Sequence, residues 1–171
     1  MSSKTALFID GSNLYAACKE LGFHIDFKKL LDLYKDEGEL LRAYYYTAVM
    51  DDDTTNNMKP ILDWLDYNGY SLVTKPAKVF TNNDGSSYVK GNMDIEMAVG
   101  MLKMARHIDH AVLFTGDGDF VSVVKAMQDE GVRVTVVSTR KTKPSMIADE
   151  LRRECDTFVE MADLKKDIKK A

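Results

Sequence analysis

Cysteine is scarce in this chain, with two in 171 residues. Cys18 and Cys155 lie far apart and match no C-x-x-C spacing, so neither a disulfide framework nor a zinc site is expected, and both read as reduced structural thiols. Long hydrophobic runs are also missing. The start, MSSKTALFID, offers only ALFI before an aspartate, too short for a signal-peptide core or a membrane span. The protein is therefore expected to be soluble, intracellular and cytoplasmic. Positive charge is not in excess: 23 Lys and Arg against 27 Asp and Glu leave a net charge of −4. That excludes a generically basic nucleic-acid coat but allows a local basic rim. No G-x-G-x-x-G follows the first apolar run, which removes a Rossmann dinucleotide site. Internal repeats and low-complexity segments are absent as well.

What the chain does have is 45% hydrophobic and 29% charged residues, enough for one buried core and too little length for two, so 1–171 reads as a single domain. Short apolar runs alternate with amphipathic stretches. Strands are expected at 6–9, 40–49, 70–75, 111–114, 132–137 and 157–161. Helices are expected after Ser12, after the cap Asp26, at 57–67, 93–105 and 120–130, and from Pro144 to about Arg153, followed by a polar tail helix at 162–171. In the 93–105 helix Met97, Ala98, Met101 and Leu102 form the apolar face, and its methionines read as core filler. The NNDG turn at 82–85 predicts a protruding β-hairpin near 78–90. Wholly apolar strands between amphipathic helices define an α/β, three-layer sandwich with a mainly parallel central sheet.

In such sheets ligands bind beyond the carboxyl ends of the strands, where strand order reverses. Asp10 directly follows the first strand. Asp117 and Asp119 follow the strand at 111–114, in the stretch FTGDGDF, and Asp94 opens a helix after KGN. Converging carboxylates repel unless a cation neutralises them, and hard oxygen ligands select Mg²⁺ or Mn²⁺. Asn13 and Thr115 stand close in sequence and can orient a ligand or water. Lys75, Lys78 and Lys90 at the hairpin, and Arg140, Lys141 and Lys143 after the strand at 132–137, are candidates for a phosphate-binding rim. Plainer roles compete. Asp119 alone suits a turn, Asp51 to Asp53 a solvated loop, and His107 and His110 a helix end. Tyr44 and Tyr46 fit one face of a strand with Tyr45 on the other, and the rim lysines can be ordinary solvated ones. DGSNL falls short of the D-x-S-x-S of a metal-dependent adhesion site at Leu14, and of a haloacid-dehalogenase motif at Ser12.

IDGSNLY, KGNMDIEMAVGML, FTGDGDFVSVVKAMQDEGVRVTVVS and ELRRECDTFVEM together resemble the NYN domains of the LabA-like group, within the wider PIN-like nuclease fold. The resemblance covers nearly the whole chain. It implies a PIN-like parallel sheet and a metal-dependent endoribonuclease acting on RNA, taken as single-stranded. Asp10, Asn13, Asp94, Asp117 and Asp119 take the family's acidic and polar positions. One position departs: the group often carries a second aspartate six residues after the first on the helix following KGN, and Gly100 stands there. An aspartate at 100 is expected to strengthen metal binding if that position reaches the cleft. The alternative is an NYN-like domain that binds RNA or a regulatory protein partner without cutting. Oligomeric state is not readable.

Overall fold

The structure is a computed structural model that describes residues 3–50 and 58–171, the side chains of Val89 and Lys90 excepted. Asp51 to Asp53 lie outside the described residues. A seven-stranded sheet runs through the molecule in the order β4-β3-β2-β1-β5-β6-β7. Its strands are β1 (Lys4–Asp10), β2 (Glu39–Met50), β3 (Ser71–Thr81), β4 (Ser87–Lys90), β5 (His110–Phe114), β6 (Arg133–Ser138) and β7 (Thr157–Glu160). All pairings are parallel except β3 with β4.

Among the described residues, seven α-helices connect and cover them: α1 (Gly11–Glu20), α2 (Phe27–Glu37), α3 (Lys59–Tyr67), α4 (Asp94–Met104), α5 (Val121–Asp129), α6 (Asp149–Glu154) and α7 (Met161–Ile168). Residues Ala6, Leu7, Phe8 and Ile9 of β1 have no exposed surface, as expected of a strand covered on both faces. Alternate side chains feed separate cores. Leu7 and Ile9 join Leu30, Leu65 and Phe114 beneath α1, α2, α3 and α7, whereas Ala6 and Phe8 join Met97, Met101, Val124 and Leu151 beneath α4, α5 and α6. Each large apolar side chain so buried contributes about 1.5–3 kcal/mol. The tyrosine run divides as its register demands: Tyr45 packs in the first core and Tyr46 in the second, with Tyr44 stacked on Phe8 at 5.5 Å.

Three expectations need correction. No helix starts at Pro144: residues 139–148 form a loop held by Thr142 Oγ1, which donates to the Pro144 carbonyl and accepts from the Met146 amide, and α6 begins only at Asp149. Leu102 is not on the inward face of α4 but 48% exposed, because Met97 and Met101 already fill that side. The first arm of the hairpin is no separate strand. It is the continuation of β3, which leaves β2 at the Met50↔Ala77 pair and goes on to Thr81. The polar C-terminal helix expected at 162–171 is α7, and its apolar positions anchor it to the body of the domain. Met161 and Ile168 are buried in the first core, and Lys169 bridges to Ile25.

Helix starts follow local chemistry. The Asp26 carboxylate accepts from the Lys28 and Lys29 amides at 3.0 and 3.2 Å, capping α2. Asp10 does the same for α1 through the Asn13 amide at 3.3 Å. Among the described residues, no helix is long and apolar enough to cross a membrane.

Candidate active site

β1 is the strand at which connection direction reverses: it pairs with β2 on one side and β5 on the other. A crevice must open beyond the ends of β1 and β5. Asp10 ends β1, and Thr115, Gly116 and Asp117 follow β5 directly, so the topology brings them together. Asp94 arrives from the start of α4. One oxygen each from Asp94, Asp117 and Asp119 lies within 4.8 Å of the others, an arrangement that could hold a metal ion. Asp10, Asp94 and Asp117 line a single groove of about 1070 Å³, whose other walls include Tyr15, Tyr45, Met58, Ile61 and Ala77.

Asp10 stands apart from the three clustered acids and is tied down by its neighbours. Thr115 Oγ1 donates to its Oδ2 at 3.2 Å, and Ser12 Oγ and the Asn13 amide donate to Oδ1 at 3.2 and 3.3 Å. Thr115, fully buried, in turn accepts the Asp117 amide at 3.3 Å. Asn13 reaches across to accept the Gly116 amide at 3.2 Å. These bonds fasten the end of β1 to the turn after β5. Asp119 is exposed and its amide donates to Asp117 Oδ1 at 2.9 Å, so the local turn is made by the Asp117 carboxylate, and Asp119 brings its own carboxylate to the cluster.

Electrostatics record the crowding. Burial pushes the Asp94 carboxyl up to about 6; the Asn92 amide opposes this, and the nearby charges of Asp117 and Asp10 add to it. Burial also raises Asp10, against hydrogen bonds from Asn13, Thr115 and Ser12. A carboxyl whose folded pKa exceeds its unfolded value of 3.8 binds more protons in the folded state. Its contribution to stability is therefore lost as pH rises from about 4 to 6. With metal absent, Asp94→Asn is expected to leave Tm unchanged at pH 4 and raise it by about 2–4 °C at pH 7.5. That corresponds to on the order of 1 kcal/mol for a partly exposed, solvent-screened group. Thermal melts at the two pH values in EDTA check it.

Sequence reasoning missed Asn92, Ser12 and Tyr46. Asn92 both accepts from the Asp94 amide at 2.7 Å and donates to its carboxylate at 3.2 Å. Its place in KGN before a helix was the available signal. Tyr46 decides the fate of position 100. A Cβ built on Gly100 would overlap the Tyr46 hydroxyl, and Tyr46 is the register partner of Asp10. The first atom of an aspartate at 100 therefore meets the Tyr46 phenol, and Gly100 does not line the groove, so the condition attached to a gain in metal binding is not met at that position. Gly100→Ala is expected to cost about 1–3 kcal/mol through overpacking. Adding Tyr46→Phe should recover it, since the next ring atom stands 3.4 Å away and alanine is the better helix former by about 1 kcal/mol. Chemical denaturation of the single and double variants measures this.

The basic candidates fall on both flanks of the same sheet edge. Arg140, Lys141 and Lys143 are exposed on the loop after β6, and Lys78 is exposed on the extension of β3. Lys75 differs: its ammonium is 3.0 Å from Glu96 on α4, so its charge is already partnered. Lys90 is placed only by register, opposite Lys78. His107 lies outside the groove. His110 is held at the start of β5 by a 2.7 Å contact with Thr135 Oγ1, its pKa lowered to about 4 mainly by burial.

The family described as NYN domain matches residues 4–162. The chain is 33% identical over 172 residues to the low amplitude and bright protein LabA of Synechococcus elongatus, covering 98% of this chain and 89% of that protein. Among solved structures it is similar to a protein of unknown function from Vibrio parahaemolyticus, with a TM-score of 0.73 and 25% identity over 94% of this chain and 93% of the other. A match along nearly the full sheet, with the acids set at its reversal point, makes this chain a member of the NYN domain family.

Proposed function

We propose that this chain is a Mg²⁺- or Mn²⁺-dependent endoribonuclease that hydrolyses phosphodiester bonds in single-stranded RNA, acting as one domain over residues 1–171. The observation that carries the proposal is the convergence of Asp94, Asp117 and Asp119 within 4.8 Å at the sheet's reversal point. The donor set is all hard carboxylate oxygen, which suits Mg²⁺ or Mn²⁺ rather than a softer metal. When bound there, a divalent ion supplies a more acidic water and offsets charge on the phosphate and leaving oxygen. Asp94, Asp117 and Asp119 are the residues that would hold it. Asp10 and Thr115 fix the turn that carries Asp117. Asn13, with its Oδ1 engaged by Gly116, has its Nδ2 donor for a phosphate oxygen or water. Arg140, Lys141, Lys143 and Lys78 would guide the strand from either flank. Free thiols at Cys18 and Cys155 suit a reducing, cytoplasmic compartment.

A second reading is favoured by one observation: the Tyr46 hydroxyl occupies the space at Gly100 where relatives of the group often carry another acid. On that reading the domain binds RNA or a protein partner without cutting. Incubating the purified protein with single-stranded RNA separates the two. The nuclease reading expects cleavage with Mg²⁺ or Mn²⁺ that EDTA stops. Calorimetric metal binding with no cleavage would select the second reading, and cleavage unaffected by EDTA would defeat the proposed chemistry.

A further inference from the structure

Beyond the edge of the main sheet, β3 and β4 form a two-stranded ribbon whose register pairs Lys78 with Lys90 and Phe80 with Tyr88. Directly opposed positions share a face, as do positions two apart, so these four positions lie on one side of the ribbon. Phe80 and Tyr88 stack with centroids 5.4 Å apart and planes inclined by 19°, yet 39% and 48% of their surfaces remain exposed. Cross-strand aromatic pairs stabilise hairpins, but opposed like charges destabilise them. Lys78 enters no ion pair among the described residues. An exposed lysine set beside an exposed stacked pair is a combination that an anionic chain of planar rings satisfies on both counts.

Position supports the same occupant. Ala77 and Gly91, at the root of the ribbon, line the groove that holds Asp10, Asp94 and Asp117. Asp10 is level with Tyr46, and Tyr46 with Val73. Phe80 is therefore seven residues beyond the level of Asp10 along β3, roughly 23 Å in an extended strand. A strand leaving the groove past Ala77 runs onto the ribbon. The ribbon root and the acid groove are continuous, which separates this face from a chance surface patch.

We propose that the β3–β4 ribbon is a single-strand RNA arm. Phe80 and Tyr88 stack on unpaired bases, Lys78 neutralises an adjoining phosphate, and the same strand reaches the acids through the groove. This rests on the reading of the groove as an RNA site, but it concerns binding and is tested without catalysis. The full chain is titrated, in EDTA, with a short single-stranded RNA carrying 2-aminopurine at one position in turn, read by fluorescence and by anisotropy. The expected result is quenching confined to a few successive positions and binding far weaker for the matching duplex, whose bases are already stacked. Phe80→Leu and Tyr88→Leu keep an apolar ribbon but remove the rings. Each should reduce quenching and weaken binding by about tenfold, and the double variant should abolish quenching, with circular dichroism unchanged and Tm lowered by no more than about 4 °C. Lys78→Gln should keep the quenching and flatten the log–log salt dependence by about 0.7. Leucine variants that bind and quench like wild type would overturn the arm while leaving the nuclease reading intact. Equal affinity for duplex, or no RNA binding by wild type, would overturn it too. Ring-dependent binding by a protein that never cleaves would keep the arm and remove the nuclease.

Discussion

Asp117→Asn is expected to lower metal-dependent RNA cleavage by about 10²–10³-fold, the range for losing one group that stabilises developing charge, while the protein stays folded. The substitution is nearly isosteric. Asp117 Oδ1 accepts the Asp119 amide at 2.9 Å, and an asparagine carbonyl can accept the same bond, so the turn after β5 keeps its geometry. What disappears is one negative charge beside Asp94 and Asp10, both of which feel it. Metal affinity should fall with activity. Without metal, Tm should hold or rise, because a repulsion has been removed. Single-turnover cleavage, calorimetric metal titration and a thermal melt in EDTA make the three readings. Undiminished cleavage by the variant would place the chemistry elsewhere.

The largest stability effect is expected at Gly116, where alanine should cost about 3 kcal/mol, at the upper end for overpacking, and lower Tm by about 6–12 °C. The added Cβ would overlap the backbone carbonyl of Met146 and stand 2.8 Å from Ser138 Oγ. Neither side of the turn is free to retreat. The Gly116 amide donates to Asn13 Oδ1 at 3.2 Å, and its carbonyl accepts the Ala148 amide at 2.8 Å. Any shift that relieves the clash also moves Asp117, the next residue, so activity should fall with Tm. A loss under about 1 °C would mean that the 139–148 loop yields without strain.

Much of this was legible because burial on both faces writes itself as uninterrupted apolar strands. ALFI and the strand at 111–114 are neighbours at the sheet reversal, the condition on which the reading rested, so Asp10, directly after the one, and Asp117, three residues past the other, share one crevice. Asp26 was readable as a cap from its place before an amphipathic run, whereas Asp10, read only as a site acid before a helix expected after Ser12, also caps α1. Features set by side chains distant in sequence were not readable. Nothing near Gly100 announces the Tyr46 phenol. Lys75 looks like any rim lysine until α4 delivers Glu96 to it. Leu102 has the right spacing for an inward position, and only the filled space under Met97 and Met101 turns it out. Pro144 is a sound helix-start signal overridden by a loop whose bonds converge on Thr139 and Thr142.

Two of the site acids also serve as structural punctuation: Asp10 caps α1, and Asp117 caps the 3-10 turn at Gly118–Phe120 that leads into α5. Alanine at a cap typically costs about 1 kcal/mol, whereas asparagine caps as well as aspartate. Divergence is therefore channelled. A descendant of this domain that no longer handled phosphates could drift from aspartate to asparagine at 10 and 117 at little cost, but not to alanine. Asp94 and Asp119 cap no helix through their side chains. In comparing such descendants, an acid kept at 10 or 117 reports on folding as much as on chemistry, and the diagnostic positions are 94 and 119.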